Sequence, residues 1–315
     1  MLGSSLFSIP RYLDATEAKR PLRFGIIADV HKDIIHDADR RLEIFVNAMI
    51  AARADFIIQL GDFCIPKPEN RAFLDIFRRY DLGPRYHVLG NHDMDGGYRR
   101  EQAVAYYDMP HRYYAFEHAG IHFVVLDGND RPPNHKSGYP RYIAPDQLAW
   151  LRTELTQSDK PVILFCHQSL ENEHGIVNGA EVRNVLEEAN RLSGRRKVLA
   201  SFSGHHHRDY VRQINNIVYP QINSAAYFWV GGNFQHVRYS AEIDKAFPYI
   251  KYTVPYREPI FAIVEIDLNK GFLRIKGRES EFVGPAPWDL GESKDYWQAT
   301  TLSAAVSNWK MPVNR

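Results

Sequence analysis

The chain has 315 residues and a formal net charge of +1, with 44% hydrophobic and 24% charged residues. This is the balance of a globular protein with a sizeable core, and it argues against the strongly basic surface of an electrostatic nucleic-acid binder. Two cysteines, Cys64 and Cys166, exclude a disulfide framework and a cysteine-rich zinc site, and the absence of any run of about 18 apolar residues predicts no transmembrane helix.

Residues 1–22 read as an N-terminal extension without the basic region and long apolar stretch of a signal peptide. The expectation is a cytoplasmic protein as the sequence stands, or an exported one if a signal peptide has been removed. Arg23–Ala28 (RFGIIA) reads as a buried strand, Ala38–Arg53 as a helix and Asp55–Leu60 (DFIIQL) as the next strand. A helix near Glu69–Tyr80 and a strand over Tyr86–Leu89 follow. Strand and helix alternate, which predicts a largely parallel sheet covered by helices.

The stretch 113–128 (YYAFEHAGIHFVVLDG) reads as a hairpin turning at Ala119-Gly120. Pro145–Thr156 is helical, with Pro145 in the first turn; Pro161–Cys166 is strand, Ala180–Leu192 helix and Lys197–Phe202 strand. Beyond Asp209 strands dominate, at 209–214, 217–222, 260–267 and 272–278, with turns at Asn215-Asn216 and Asn269-Lys270-Gly271. A helix-rich α/β half thus leads into a strand-rich half, as two sheets packed face to face with helices outside require. A single domain over 23–284 is expected, with 285–315 an irregular tail packed across its surface.

Five strands end on metal-ligand chemistry. The first ends on Asp29 and His31, the second on Asp62, the third on Asn91, His92 and Asp93, the fourth on His167, and the fifth on His205, His206 and His207. In open α/β sheets ligands bind outside the carboxyl ends of the strands. Asp29 and His31 are two residues apart, as are His205 and His207, so each pair in extended backbone points one way and His206 points elsewhere. Each signal alone fits a turn or a buried histidine; the ordered combination does not. Two carboxylates, one amide oxygen and four imidazoles suit Zn, Mn or Fe. They are too many for one tetrahedral ion and suit two ions about 3.5–4 Å apart sharing a bridging carboxylate.

Asp29-Val30-His31, Gly61-Asp62, Gly90-Asn91-His92-Asp93, His167 and Gly204-His205-His206-His207 resemble the signature of the calcineurin-like metallophosphoesterases. The resemblance is complete and in order over roughly residues 23–210. His31 in the first motif resembles the non-purple branches, since purple acid phosphatases place a metal-binding tyrosine in a variant of the pattern. The resemblance implies a four-layer αββα sandwich of two mixed β-sheets flanked by helices. Carried over position by position, it implies that Asp29, His31 and His207 bind one metal, that Asn91, His167 and His205 bind the other, and that Asp62 bridges them.

It also implies hydrolysis of phosphate esters by a metal-bound hydroxide, since two metals lower the pKa of a bridging water. A small-molecule phosphate ester is the expected partner, with no nucleic acid or membrane favoured and no oligomeric state implied. A phosphodiesterase is favoured slightly over a phosphomonoesterase of broad range, because no arginine cluster marks a site for a dianionic phosphate. A metal-binding interaction module on the same fold is disfavoured by the intact ligand set. His92 is the expected proton donor to the leaving oxygen, and substrate passes Asn91 and His92. Asp93 either holds the tautomer of His92 or serves as a turn or cap residue.

Specificity is written less clearly. Tyr227, Phe228 and Trp229 either stack a nucleobase or other flat group or fill the core. The loops 129–141, 174–179 and 224–236 are candidate rims, the first a lid or a plain surface loop. Arg99, Arg100 and Lys136 either meet a phosphate or are solvated, and Cys64 and Cys166 read as packing residues.

Overall fold

The computed structural model describes residues 20–296 and 300–313; the expected N-terminal extension lies outside them up to residue 19. The described chain opens with β1 (Leu22–Ile27), α1 (Ala38–Ala51), β2 (Phe56–Gln59), α2 (Arg71–Arg78), β3 (Arg85–His87) and α3 (Arg100–Tyr106). The first three strands run parallel, as strand–helix alternation requires. β4 (Tyr114–His118) and β5 (Ile121–Leu126) form the expected hairpin. Its turn residues Ala119 and Gly120 have φ of 48° and 76°, the two positive values of a turn that follows strand twist.

α4 (Pro145–Gln157), β6 (Val162–Cys166), α5 (Gly179–Ser193) and β7 (Val198–Phe202) continue the alternation, with β5, β6 and β7 parallel. The antiparallel pair β8 (Tyr210–Ile214) and β9 (Ile217–Gln221) turns at Asn215-Asn216. β10 (Tyr227–Trp229) pairs with β11 (Thr253–Pro255) across an excursion holding α6 (Ala241–Ala246). β12 (Ala262–Asp267), β13 (Phe272–Lys276), the small pair β14 (Asp295–Tyr296) and β15 (Thr300–Thr301), and β16 (Trp309–Pro312) complete it.

Two six-stranded mixed sheets result, in the orders β16-β13-β12-β1-β2-β3 and β4-β5-β6-β7-β9-β8. The strand-rich half therefore does not stay in the second sheet: β12 and β13 return to the first, β12 antiparallel beside β1 and β13 antiparallel beside β12. The tail is also less irregular than expected. β16 pairs with β13 and buries Met311 beside Leu273. Its Pro312 obscures the strand pattern in the sequence, and an edge strand is where proline is tolerated.

The sheets face each other through aromatic rings. Phe24 stacks on Phe56 at 4.7 Å, and across the layers it meets Phe123, Phe165 and Phe202 edge-on at 6.1, 5.8 and 6.0 Å. Each such ring contributes about 1.5–3 kcal/mol by burial. In β6, Ile163 and Phe165 face this inter-sheet core, while Val162, Leu164 and Cys166 face α4 and α5. Burial on both faces is why these strands read as unbroken apolar runs. With α1 and α2 outside the first sheet and α4 and α5 outside the second, the architecture is the expected αββα sandwich. Among the described residues no helix is long and apolar enough to cross a membrane.

Candidate metal centre

The loops leaving the strands are joined by backbone hydrogen bonds that continue the strand pairing. Asp29 N–H donates to Gly61 O at 3.1 Å, His31 N–H to Asp62 O at 3.0 Å, and Gly204 N–H to His167 O at 3.0 Å. Two glycines let these loops touch. A Cβ on Gly61 would lie 2.6 Å from Gly90 N, and one on Gly90 would lie 2.1 Å from Asp62 N.

The backbone at the site is not extended. Asp29, His31, Asp62, His205 and His207 have φ of 52°, 52°, 51°, 75° and 51°, left-handed values that cost side-chain-bearing residues roughly 1–2 kcal/mol each. Strand alternation predicts Asp29 beside His31, and His205 beside His207. The pairs do share a site, but left-handed kinks beyond β1 and β7 aim them. His206 turns away, its Nε2 2.8 Å from Ser169 Oγ.

Two groups of ligand atoms form. Asp29, His31 and His207 bring one oxygen and two nitrogens within 4.8 Å of one another, and Asp62, His167 and His205 do the same. Asp62 Oδ2 lies between the groups, 3.2 Å from His167 Nε2 and 3.8 Å from His31 Nε2. The other Asp62 oxygen accepts the His92 N–H at 2.7 Å. Asn91 Oδ1 is buried with no hydrogen-bond partner, an expensive arrangement for an amide oxygen unless a cation takes it. His167 Nδ1 lies 2.8 Å from Leu60 O and His207 Nδ1 lies 2.8 Å from Tyr227 O. Each bond fixes the ring and directs Nε2 into the site, the usual outer support of a metal-binding imidazole. The orphaned amide oxygen and the converging nitrogens fit a pair of metal ions.

The electrostatics agree. Burial pushes Asp62 up, but His167, His92 and His31 outweigh it and hold the carboxyl well below its usual range. Burial holds the His31 and His205 imidazoles well below theirs. Burial also pulls His167 down, but Asp62 and Asp29 overcome it and raise the imidazole to about 9.

His92 lies at the rim, about one-third exposed. Its Nδ1 pairs with Asp95 Oδ2 at 2.7 Å, so the expected partner Asp93 is replaced. Asp93 is fully buried and points the other way. It accepts the N–H groups of Phe63, Cys64 and Gly90 at 2.7, 3.2 and 2.8 Å and the Tyr107 hydroxyl at 3.0 Å. It pins the loop after β3 to the loop after β2. Tyr139 was also missed: its hydroxyl donates to Asp95 Oδ1 at 2.7 Å, and its ring lies 4.7 Å from His92. Tyr139 belongs to the 129–141 loop, so that candidate lid does reach the rim.

The remaining candidates separate cleanly. Tyr227 is buried with its ring 5.0 Å from both His31 and His207, Phe228 is buried in the core, and Trp229 is exposed. Arg100 is held by Asp127 and Asp130 at 3.1 and 2.9 Å, while Arg99 and Lys136 are exposed. Cys64 and Cys166 are buried, and burial raises both thiols well above their usual range.

A layered αββα protein with paired carboxylate–imidazole groups at its strand ends is a metallophosphoesterase in architecture. The family model described as calcineurin-like phosphoesterase matches residues 22–209, and the chain belongs to that family of phosphoric ester hydrolases. Among solved structures, a dimetal phosphatase from Danio rerio is 18% identical with a TM-score of 0.54, covering 84% of this chain and 99% of its own. GAP50, the anchor in the inner membrane complex of Plasmodium, is 16% identical with a TM-score of 0.58, covering 94% and 90%. At these identities the likeness is one of fold. No curated protein matches the chain.

Proposed function

We propose that the chain hydrolyses phosphodiesters with two metal ions, Mn, Fe or Zn, held at this centre. The observation that carries the proposal is Asp62 Oδ2 lying between two three-residue groups of ligand atoms. Asp29, His31 and His207 would hold one ion, Asn91, His167 and His205 the other, and Asp62 both. When bound, such a pair lowers the pKa of water, neutralises phosphate oxygens and aligns the ester for in-line displacement.

The chain supplies the rest. Asn91 and His92, adjacent on one loop, meet the phosphate together. Asp95 holds His92 through Nδ1, which leaves Nε2 free to give a proton to the departing alkoxide. Burial pulls the His92 imidazole down, but Asp62 and Asp95 outweigh it and hold it at about 9, so before metal binding it carries the proton such a donor needs. Support for a diester comes from the arginines: Arg100 and Arg112 are both tied to Asp127 and Asp130, and a terminal dianion prefers a free guanidinium fork.

The test compares bis(4-nitrophenyl) phosphate with 4-nitrophenyl phosphate on protein loaded with each metal. A higher kcat/KM for the diester is expected. A higher value for the monoester would make the chain a phosphatase, and no hydrolysis of either with two ions bound would make it a binding module.

A further inference from the structure

Aromatic side chains lead outward from the centre in a file. Tyr227 touches the centre through His31 and His207, and Trp229 follows at 6.4 Å, Tyr252 at 5.9 Å from Trp229, and Tyr249 at 6.3 Å from Tyr252. On the other side of the centre, Tyr139 places its ring 4.7 Å from His92. Tyr139, Trp229 and Tyr249 are 46%, 44% and 58% exposed. Single exposed apolar residues are ordinary, but contiguous ones beside a polar cleft mark a binding surface.

The backbone of Trp229 is anchored. It ends β10, paired with Thr253 of β11, and Tyr252 precedes that partner. Such a ring presents a flat face at little entropic cost. Flat faces recognise flat ligands by stacking and offer little to a polyol or an acyl chain.

We propose that Trp229, with Tyr252 and Tyr249, is a stacking subsite for a planar ring on the alcohol side of the ester, so that ring-bearing, nucleotide-like phosphodiesters are preferred. This rests on hydrolysis at the neighbouring centre as proposed above.

The test uses two diesters whose leaving alcohols are both primary, adenosine 5′-methylphosphate and glyceryl methyl phosphate, with metal-loaded protein. Wild type should favour the adenosine ester in kcat/KM. Trp229→Ala should lower that preference about tenfold, the loss of one stacked ring, acting mainly through KM, and Trp229→Phe should restore most of it. Tyr249→Ala should act in the same direction. No preference in wild type, or an unchanged ratio in these variants, would overturn the subsite.

If neither ester is hydrolysed, the nitrophenyl esters decide the proposed function and the subsite is judged by binding alone. Adenosine monophosphate should then quench tryptophan fluorescence in wild type, with the quench lost in Trp229→Phe. An absent quench, or one that persists in that variant, would overturn it.

Discussion

The Nε2 atoms of His31 and His207 face one another at 3.2 Å. His207 Nδ1 donates to Tyr227 O, so its Nε2 presents a lone pair. Two lone pairs cannot face each other at that distance; a proton or a cation must lie between them. Metal-free protein should therefore hold the proton on His31 Nε2, and a metal should displace it. Added Mn²⁺ should raise the unfolding temperature, each ion contributing about 2.7 kcal/mol at a hundredfold excess over Kd. Equilibrium dialysis should find two ions per chain and about one in His207→Ala. Full occupancy in that variant would remove His207 from the ligand set.

Metal affinity should rise with pH. The His167 imidazole, pulled down by burial but held up at about 9 by Asp62 and Asp29, keeps a proton on Nε2 in the metal-free protein at neutral pH. Its Nδ1 proton is already committed to Leu60 O. Below about pH 9 an incoming ion must expel the Nε2 proton, so affinity should climb by up to about tenfold per pH unit and level off above that value. Calorimetric titrations across roughly pH 6 to 8 measure this directly, and a flat affinity would contradict it.

Asp93 and Asp95 should fail differently. Asp95→Asn should lower kcat about tenfold or more while metal content and unfolding temperature stay near wild type, because Asp95 bonds only to the rim groups His92 and Tyr139. His92→Ala should lower kcat by roughly 10²–10⁴ with both ions retained. Asp93→Asn replaces an acceptor of four hydrogen bonds and should cost about 1–3 kcal/mol of stability. Kinetics and thermal unfolding on the same preparations decide the matter; a stable Asp93→Asn protein with only kcat impaired would return the orienting role to Asp93.

A further pH effect belongs to the fold. His87 is buried against Phe77 and Tyr107, stacked at 4.9 Å on the latter, with Nδ1 3.1 Å from Gln59 Nε2. Burial, with Arg78 and Arg85 adding to it, depresses its imidazole to about 3. The unfolded chain protonates this group near pH 6.5 and the folded chain does not. Stability should therefore be intact above about pH 6.5 and fall between there and about pH 3, at up to about 1.4 kcal/mol per unit. Denaturation midpoints for wild type and His87→Phe should diverge over that window. Parallel curves would show that His87 does not titrate as described.

Much of this was legible in the sequence. The candidate ligand residues stood out because their order and strand-end positions are properties of the chain alone, and the paired sheets followed from runs buried on both faces. Their aiming was less legible: Asp and His are only enriched in left-handed backbone, and the contacts that hold Asp29 and His207, to Gly61 O and Tyr227 O, come from distant parts of the chain. Asp95 was missed because the short helical turn that begins at His92 breaks at Asp95 itself, with ψ of 163°, and at Gly96, with φ of 71°, so residue spacing alone does not place Asp95 against His92. Tyr139 was missed because its contact spans 44 residues to Asp95. The return of β12 and β13 to the first sheet was hidden for the same reason, as pairing partners far apart in sequence leave no local pattern.

The place of β1 in its sheet has a bearing on how the protein is made. One neighbour, β2, lies about thirty residues downstream, but the other, β12, pairs Arg23 with Glu265. Every proposed ligand, from Asp29 to His207, is translated before β12 exists. On the ribosome the nascent chain therefore carries its whole set of ligands while β1 still offers an unpaired edge, a state in which chaperone contact or mispairing competes with native closure.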